Sequence, residues 1–367
     1  MKNEYLVWLE WPEKCFRMDA AAMRHFRSLL PEGSRVVRAR SEAAFLRALP
    51  SATHAFVWHF REEWYARARR LRVLATPAAG RELVSTKGPA GVTIHFGGFH
   101  GPIISETVLG FLLAWTRGFF WKGPLWPRAR LAEHCGDLEG TTAVIAGFGR
   151  IGRAVAARME PFGVKCFGIT RHGIFEGSKV QEFKGSRVQE FKGSRVQEFK
   201  GSRVQGFKGS KVQEFKGSRV QGFKGSKVQE FKGSRDREIK GLGDVCRRAD
   251  WFILALPSDT GTDDFLDERM IGLLPRKCVV INVGRGNSVD EKALVAALRE
   301  RRLAGAYLDV FKQEPTALNP KVGPNGRGLA ALKSAPPNLV RMPHSSAFSP
   351  RYLKECFKEL KAEGQLE

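Results

Sequence analysis

The sequence has no long hydrophobic run. Its longest uninterrupted apolar stretch, Val108–Trp115, includes a glycine, whereas a membrane-spanning helix needs about 20 apolar residues. The first five residues include an acid and no apolar signal core, so we expect no secretory signal. These absences predict a cytoplasmic protein that does not associate with a membrane.

Cysteines are few and scattered. The six are Cys15, Cys135, Cys166, Cys246, Cys278 and Cys356. No two of them have the spacing of metal ligands, and their pattern does not suggest a disulfide framework. We therefore expect reduced thiols and no metal site.

Acidic residues are outnumbered by basic ones. The chain has 61 Lys and Arg against 38 Asp and Glu, which gives a net charge of +23. Such an excess is typical of proteins that bind nucleic acid or anionic surfaces. Much of it, however, lies in an octapeptide repeat whose seven near-identical copies (GSRVQEFK and close variants) fill residues 177–232. Five copies carry one net positive charge and two carry two, so the repeat contributes nine of the 23 charges.

The period of eight matches no common structural repeat. Val and Phe recur three and then five residues apart, which does not fit a coiled-coil heptad, and Gly-Ser interrupts each copy. We interpret 177–232 as a disordered insert in a surface loop and do not expect nucleic acid as a partner. A basic tether for nucleic acid or membrane is the alternative, but charge alone is a weak signal. The insert follows the predicted strand at 165–170. If this strand belongs to a dinucleotide site, we expect the positive charge of the insert near the adenosine end of that site.

Outside the repeat, short apolar strands alternate with helical patterns in two series. Before residue 101 the predicted strands are Tyr5–Trp11, Arg35–Ala39, His54–Phe60 and Leu71–Ala75, and the predicted helices are Ala20–Leu30, Glu42–Leu49 and Glu62–Arg70. After residue 140 the predicted strands are Thr142–Ala146, Lys165–Thr170, Trp251–Leu256, Cys278–Val283 and Ala306–Val310, and the predicted helices are Ile151–Met159, Leu242–Ala249, Asp267–Leu274 and Glu291–Arg301. This alternation predicts an α/β fold of two doubly wound, Rossmann-like parallel-sheet domains with a cleft between them.

A glycine-rich loop, GFGRIG, follows the first strand of the second series. Gly147 can make the tight turn, Gly149 can let a pyrophosphate approach the backbone, and Gly152 can let helix and strand pack closely. The helix that starts at Arg150 and Ile151 offers free N–H groups to phosphates. The pattern is weak alone, but a strand before it and a helix after it are the context of a dinucleotide site. The structural alternative is a glycine packing cluster.

The end of the next strand predicts the preferred cofactor. An NAD site usually has Asp or Glu there to bind the ribose hydroxyls, whereas this chain has Thr170 and Arg171. An arginine can pair with the 2′-phosphate of NADP. We therefore predict NADP, with NAD possible, because Arg171 could instead be a solvated surface residue beside a permissive site.

Three further motifs carry a resemblance to a known family. They are NVGRGNSVDEKAL at 282–294, LDVFKQEP at 308–315 and MPHSSA at 342–347. Together with GFGRIG they resemble the D-isomer-specific 2-hydroxyacid dehydrogenases, in which an Arg, a Glu and a His follow one another at intervals of about 30 residues. The matching residues are Arg285, Glu314 and His344.

The resemblance implies a role for each of the three. Arg285 is expected to bind the substrate carboxylate and carbonyl through its planar set of donors. His344 is expected to donate a proton to the carbonyl oxygen during reduction, and Glu314 to orient His344 and keep it protonated. Taken singly, each residue has a structural explanation, as a surface cation, a loop acid or a capped loop histidine.

The resemblance also implies contacts outside this triad. Backbone N–H groups near Ala78, Ala79 and Gly80 are expected to bind the substrate carboxylate, and Asp309 is expected near the nicotinamide. The remaining expected cofactor contacts are Leu256, Pro257, Thr262 and Val283.

The domain assignment follows from the same resemblance. We predict a flavodoxin-like substrate-binding domain at 1–101 and 345–367, and a dinucleotide-binding Rossmann domain at 102–344 that the repeat interrupts. The long apolar helix Ser105–Phe120 is suited to burial between domains or subunits, and the resemblance implies a homodimer.

The predicted activity is NADP-linked reduction of a small 2-keto acid such as glyoxylate or hydroxypyruvate. One alternative is a non-enzymatic, dinucleotide-sensing protein like the corepressors of the same family. Another is a damaged gene product whose repeat impairs folding.

Overall fold

The computed structural model describes residues 3–120, 123, 128–171, 173–177, 241–314 and 335–367, and the backbone of five short strands inside the repeat. Two compact units divide the chain. The first unit contains Met1–Thr107 and His344–Glu367, and the second contains Val108–Pro343. None of the helices in the described residues is long and apolar enough to cross a membrane.

The first unit is built on a parallel sheet. Its described strands are β1 (Glu4–Trp8), β2 (Arg35–Arg38), β3 (His54–Val57), β4 (Val73–Thr76) and β5 (Thr93–Phe96). The helices along this part of the chain are α1 (Ala20–Leu29), α2 (Glu42–Ala48) and α3 (His100–Thr116). The strand order β2-β1-β3-β4-β5 is the flavodoxin-like order.

Both faces of this sheet are covered. Side chains alternate along β1, so Tyr5 and Val7 join one hydrophobic cluster and Leu6 joins the other, as the pleat of a strand requires. Helices α1 and α2 begin where Asp19 and Ser41 accept hydrogen bonds from backbone N–H groups of the first turn, and such caps are typical helix starts.

One predicted helix of this unit differs. Residues Glu62–Arg67 form a 3₁₀ helix instead of the predicted α-helix over 62–70. The segment ends in a hydrogen bond of the 3₁₀ type, from the N–H of Ala68 to the carbonyl of Tyr65, before the chain enters β4.

The second unit contains a larger sheet interrupted by the repeat. Before the repeat lie α4 (Ala129–Ala132), β6 (Thr142–Ala146), α5 (Arg150–Met159), β7 (Lys165–Thr170) and β8 (Gly173–Glu176). Inside it lie β9 (Phe183–Lys184), β10 (Val188–Lys192), β11 (Phe199–Lys200), β12 (Val204–Lys208) and β13 (Val220–Lys224). After it come α6 (Leu242–Cys246), β14 (Trp251–Leu254), α7 (Glu268–Leu273), β15 (Val279–Asn282), α8 (Glu291–Arg299), β16 (Gly305–Leu308) and β17 (Leu339–Arg341).

The described strands of this sheet follow the order β17-β16-β15-β14-β6-β7-β8, which is the Rossmann order with an added strand. All neighbours pair in parallel except β8, which runs antiparallel to β7. The predicted α/β fold with two parallel sheets is therefore confirmed, with β8 as an antiparallel edge strand. The order reverses between β6 and β14, and ligands of such sheets bind at the carboxyl ends of the strands beside this point.

The β7–β8 hairpin determines where the chain enters the repeat. Glu176 pairs with Phe167, and the N–H of Gly177 donates to the carbonyl of Cys166 at 2.9 Å. The chain therefore enters the repeat at the amino end of β7, whereas the adenosine end of a dinucleotide site lies at the carboxyl end. The start of the repeat therefore lies away from the adenosine end, which we did not predict because nothing in the sequence indicates the hairpin. The expectation that the charge of the repeat lies near the adenosine end stays a prediction.

Within the repeat, equivalent positions of alternate copies pair. Val188, Val204 and Val220 are aligned across β10, β12 and β13, and Phe183 is aligned with Phe199 across β9 and β11. The remainder of 177–232 lies outside the described residues, so the prediction of a disordered insert stays a prediction.

The chain ends in the first unit with α9 (Tyr352–Ala362). The rings of Phe26 and Phe357 pack at 4.9 Å between α1 and α9. On β5, His95 lies 3.3 Å from a carboxylate oxygen of Glu359 and 3.2 Å from one of Glu363. The C-terminal segment is therefore part of the core of the first unit.

Candidate functional site

The carboxyl edge of the second unit's sheet gathers the predicted cofactor residues. Gly147 follows β6, Leu256 comes soon after β14, Val283 follows β15, and Asp309 follows β16. Because these four strands are parallel neighbours, their following loops meet at one edge. Neighbouring loops here approach so closely that only glycine fits at several positions.

The glycine-rich loop has the predicted geometry. Gly147 adopts a φ of +90°, and a Cβ atom there would lie 2.5 Å from the carbonyl oxygen of Ala255. A Cβ atom on Gly152 would lie 2.4 Å from the carbonyl oxygen of Gly147. Helix α5 starts with Gly149 as its cap, and no side chain caps its first N–H groups. These N–H groups and the open backbone fit the phosphates of a dinucleotide.

A contact that the sequence did not reveal anchors this loop. Phe148 is buried, and a Cβ atom on Gly168 of β7 would lie only 2.1 Å from its ring. The ring therefore occupies the space that a side chain at 168 would need. Any residue larger than glycine at 168 must displace Phe148 and with it the loop.

The end of β7 has the residues used to predict NADP. Thr170 is half-buried, and its hydroxyl lies 3.4 Å from the carbonyl oxygen of Gly173. Arg171 is exposed in the turn before β8. This position makes Arg171 accessible to a phosphate in solution. The choice between NADP and NAD stays a prediction.

The loop after β14 is organised by Thr262. This residue is buried, and its hydroxyl lies 2.7 Å from the carbonyl oxygen of Pro257 and 2.9 Å from that of Asp259. Thr262 therefore shapes the loop that presents Leu256 and Pro257. Val283 is buried too, and its N–H donates to the carbonyl of Leu254 at 3.0 Å.

Arg285 lies in a tightly packed turn after β15. A Cβ atom on Gly284 would lie 2.6 Å from the carbonyl oxygen of Leu256, and one on Gly286 would lie 1.9 Å from the carbonyl carbon of Phe311. The half-buried Arg285 donates from Nη1 to the carbonyl of Gly284 at 3.0 Å. The glycines on either side thus let the backbone at Arg285 pass between two neighbouring loops.

Glu314 belongs to one of those neighbouring loops. Its carboxylate accepts a hydrogen bond of 2.6 Å from the N–H of Phe311, the residue against which Gly286 packs. Asp309 is buried where β16 ends, and its N–H donates to the carbonyl of Asn282 at 3.0 Å. The structure therefore brings the loops of Arg285 and Glu314 together at the edge that holds the glycine-rich loop.

The other predicted site residues belong to the first unit. His344 is exposed, comes three residues after β17 and has a φ of +53°, which is unusual for a residue other than glycine. Strained residues of this kind are concentrated at functional sites. The arrangement of His344 relative to Arg285 and Glu314 stays a prediction.

The predicted substrate loop follows β4 in the first unit. The N–H of Ala78 donates to the Thr76 hydroxyl at 3.2 Å, whereas Ala79 is exposed and Gly80 half-buried. The hydroxyl of Tyr352 on α9 donates to the carbonyl of Pro77 at 3.3 Å. Tyr352 thus links this loop to the segment that begins at His344, and the sequence did not predict that link.

Thiol and metal chemistry receive no support from the described residues. All six cysteines are unpaired, and burial raises the pKa of Cys166 and of Cys246 to about 12, so these thiols stay protonated near neutral pH. Within the described ranges, no three His, Cys, Asp or Glu side chains cluster as metal ligands.

The chain matches a protein-family model. The model of the NAD-binding domain of D-isomer specific 2-hydroxyacid dehydrogenases matches residues 112–192 and 210–346. These ranges include the glycine-rich loop, Arg285, Glu314 and His344. The matched residues make up more than half of the chain.

Similar curated proteins include reductases. A glyoxylate reductase of Thermococcus kodakarensis is 27% identical over 269 residues, which cover 69% of this chain and 64% of the relative. The chain therefore spans less than two thirds of that relative's length. A glyoxylate/hydroxypyruvate reductase A of Arabidopsis thaliana is 44% identical over 72 residues, covering 20% of this chain and 23% of the relative.

Similar solved structures show the same fold. A D-isomer specific 2-hydroxyacid dehydrogenase family protein from Aeromonas salmonicida has 21% identity and a TM-score of 0.62, covering 99% of this chain and 96% of that one. An NADPH-dependent glyoxylate/hydroxypyruvate reductase from Sinorhizobium meliloti has 22% identity and a TM-score of 0.58, covering 99% and 94%.

Proposed function

Because the chain belongs to the D-isomer specific 2-hydroxyacid dehydrogenase family, we propose that it transfers a hydride between a nicotinamide cofactor and a small 2-keto acid or the corresponding D-2-hydroxy acid. The observation that carries this proposal is the packing of the Arg285 loop against the Glu314 loop through Gly286 and Phe311. That packing is in the unit whose glycine-rich loop fits a dinucleotide.

Arg285 is suited to bind the keto acid. Its guanidinium presents parallel donors that match a carboxylate. Its backbone is held on both sides by close packing at Gly284 and Gly286, so the side chain starts from a fixed point. A fixed donor reduces the entropy lost when the substrate is ordered.

His344 and Glu314 are suited to handle the proton. Reduction of the carbonyl leaves an alkoxide that needs a proton, and a histidine can donate one near neutral pH. We propose that His344 is this acid in reduction and the base in oxidation. In this proposal Glu314 accepts a hydrogen bond from the His344 ring and stabilises its protonated form.

The cofactor is proposed to bind at the glycine-rich loop. A bound nicotinamide dinucleotide supplies or accepts the hydride. The N-terminus of α5 and the backbone at Gly147 and Gly149 are suited to its pyrophosphate, and Asp309 and Leu256 are proposed to contact it farther along the same edge. We propose NADP as the preferred cofactor because Arg171 is exposed at the end of β7 and can pair with a 2′-phosphate.

Glyoxylate and hydroxypyruvate are the proposed substrates. The reductases similar to this chain carry these names, and the predicted carboxylate contacts at Ala78, Ala79 and Gly80 suit any small 2-keto acid.

We also propose a homodimer in the cytoplasm. Two aromatic side chains just beyond α3, Phe119 and Phe120, are 78% and 39% exposed and support burial against a second copy.

The test is a panel of 2-keto acids assayed with NADPH and with NADH, in which consumption of the reduced cofactor is followed by its absorbance. We expect turnover of small 2-keto acids, faster with NADPH. The Arg285→Ala variant, which controls for contaminating reductases, should be slower by at least about 100-fold. Binding of the dinucleotide without turnover of any keto acid would overturn the enzymatic proposal and favour a dinucleotide-sensing protein.

A further inference from the structure

Two fully buried polar side chains, Asn282 and Ser288, lie at either end of the turn that carries Arg285. We call residues 282–288 the Arg285 turn. Neither side chain can reach solvent, so each must find its hydrogen-bond partners inside the protein. Both find the same partner.

That partner is the carbonyl of Arg285. Asn282 donates to it from Nδ2 at 3.1 Å, and the Ser288 hydroxyl donates to it at 2.7 Å. The Ser288 N–H also donates to it, at 3.2 Å. Three donors therefore converge on one backbone oxygen, and two of them come from side chains.

Asn282 also holds the turn from its other side. Its Oδ1 accepts a hydrogen bond of 3.0 Å from the N–H of Gly284. One side-chain amide therefore binds both the N–H of Gly284 and the carbonyl of Arg285. Only a side chain with a donor and an acceptor on one planar group can do this. Aspartate has the same shape but lacks the donor, and would place an oxygen against the Arg285 carbonyl.

We propose that Asn282 and Ser288 are positioning residues that fix the backbone of Arg285 and thereby aim its guanidinium at the substrate carboxylate. This inference rests on the proposed function for the identity of the ligand, but the hydrogen bonds that carry it do not. Neither residue contacts substrate in this proposal; both act through Arg285. A displacement of about 1 Å at a substrate-binding group can cost on the order of 100-fold in rate.

The chain supplies a matched control for Asn282. Asn338 is a partly buried asparagine of the same unit, and its Nδ2 donates to the carbonyls of Ala304 at 3.1 Å and Leu298 at 3.5 Å. It lies just before β17, at the amino end of the sheet, away from Arg285. Asn338→Asp therefore removes the same kind of bond without touching the Arg285 turn.

The experiment compares Asn282→Asp, Ser288→Ala and Asn338→Asp with the wild type. For Asn282→Asp we expect KM for the 2-keto acid to rise on the order of tenfold to 100-fold, with a smaller rise for Ser288→Ala. The dissociation constant of the cofactor should rise less than this KM in both variants, because the glycine-rich loop proposed to hold the pyrophosphate lies outside the Arg285 turn. Asn338→Asp should leave KM unchanged. Equal effects of the two Asn→Asp variants on KM would overturn the proposal.

A double variant separates positioning from general stability. If Asn282 acts through Arg285, then Asn282→Asp should lower kcat/KM by less than about twofold when it is added to Arg285→Ala. If its full effect persists in that background, Asn282 acts on something other than Arg285 and the proposal is wrong.

If the chain turns over no keto acid, that result overturns the proposed function but not this inference. The inference can then be tested by backbone hydrogen exchange. Amides of the Arg285 turn should exchange faster in Asn282→Asp and Ser288→Ala than in the wild type, and at the wild-type rate in Asn338→Asp. Unchanged exchange in Asn282→Asp would show that the turn does not depend on this side chain and would overturn the inference.

Discussion

At the scale of residues, the proposed chemistry depends on single side chains. Replacing Arg285 or His344 by alanine should lower kcat/KM by about 100- to 10,000-fold, the usual cost of losing a general acid or a charged substrate contact. Cofactor affinity, measured by fluorescence titration, should survive because the glycine-rich loop is untouched. Arg285→Lys should also have a low kcat/KM, because an ammonium group cannot form two parallel hydrogen bonds to a carboxylate. Near wild-type turnover by His344→Ala would contradict the assignment.

Arg171 should determine the choice of cofactor. Arg171→Ala should raise KM for NADPH far more than KM for NADH, because only NADPH has a 2′-phosphate for the guanidinium to bind. Arg247→Ala removes the same charge from an exposed position on the surface of the same unit and serves as the control. Equal effects of Arg171→Ala on both cofactors would rule out this role.

His54 makes the first unit sensitive to acid. Burial, with a smaller effect from Arg72, lowers the pKa of this histidine to about 4. In the unfolded chain the same group titrates near 6.5. The unfolded state therefore binds the proton first, and the stability that neutral His54 contributes at pH 7 is lost as the pH falls from about 6.5 to about 4.

The loss at His54 amounts to roughly 3 kcal/mol when complete. Urea unfolding between pH 7.5 and pH 4.5 should show the wild type losing stability more steeply than His54→Gln, whose side chain does not titrate. Parallel pH profiles for the two proteins would show that another group is responsible.

At the scale of elements, the contact between Phe148 and Gly168 joins the glycine-rich loop to β7. Gly168→Ala should displace the ring, lower the free energy of unfolding by about 1–3 kcal/mol and weaken cofactor binding. Gly272→Ala is the control, because a Cβ atom there on α7 would meet nothing within 4 Å. That change should be neutral or stabilising by up to about 1 kcal/mol. Thermal unfolding and cofactor titration of both variants make the comparison, and unaltered cofactor affinity in Gly168→Ala would contradict the coupling.

Helices and strands could be predicted wherever the spacing of apolar residues clearly matched one of the two. Strands β6 and β7 have their predicted bounds, and α1 differs by one residue at its C-terminal end. Strands β5, β8 and β17 were missed, because each lies beside glycines or prolines, which indicate turns and interrupt the strand pattern. Their places in the sheets come from pairing with strands far away in the sequence.

The sequence predicted the types of residue in the candidate site but not the contacts that hold those residues in place. Arg285 and Glu314 have recognisable motifs, and the structure brings their loops together. Asn282, Ser288 and Phe148 act through contacts with Arg285 and Gly168 that depend on packing, and no spacing in the sequence indicates such contacts. Tyr352 is likewise far in sequence from Pro77, to which it donates.

At the scale of the whole molecule, the repeat should be dispensable. Deleting 177–232 should leave a folded enzyme with turnover within about twofold of the full chain. Ordering the 56 residues would cost about 1–2 kcal/mol each, and Val and Phe spaced three and then five residues apart do not give the steady apolar face that could offset this cost. The chain leaves the sheet at Gly177, next to Cys166, and after the repeat Arg248 lies over the neighbouring Phe167 ring. A shorter connection can therefore join the two ends.

The repeat deletion is best measured as turnover, cofactor affinity and melting temperature at about 0.15 M salt, where charge interactions extend only some 8 Å. Because the repeat starts at the amino end of β7, loss of its nine positive charges should leave cofactor affinity unchanged. Unfolding of the shortened chain, or a tenfold fall in turnover at saturating cofactor, would show that the repeat is structural.

The antiparallel direction of β8 has a consequence for how this gene can vary. A tandem array gains and loses units readily during replication, and each such event changes the length of one connection. Because β8 turns the chain back before the array begins, the array starts at the end of the sheet opposite to Gly147, Arg285 and Glu314. Alleles with unequal copy numbers should therefore encode enzymes with the same kinetic constants, distinguishable by mass and net charge alone.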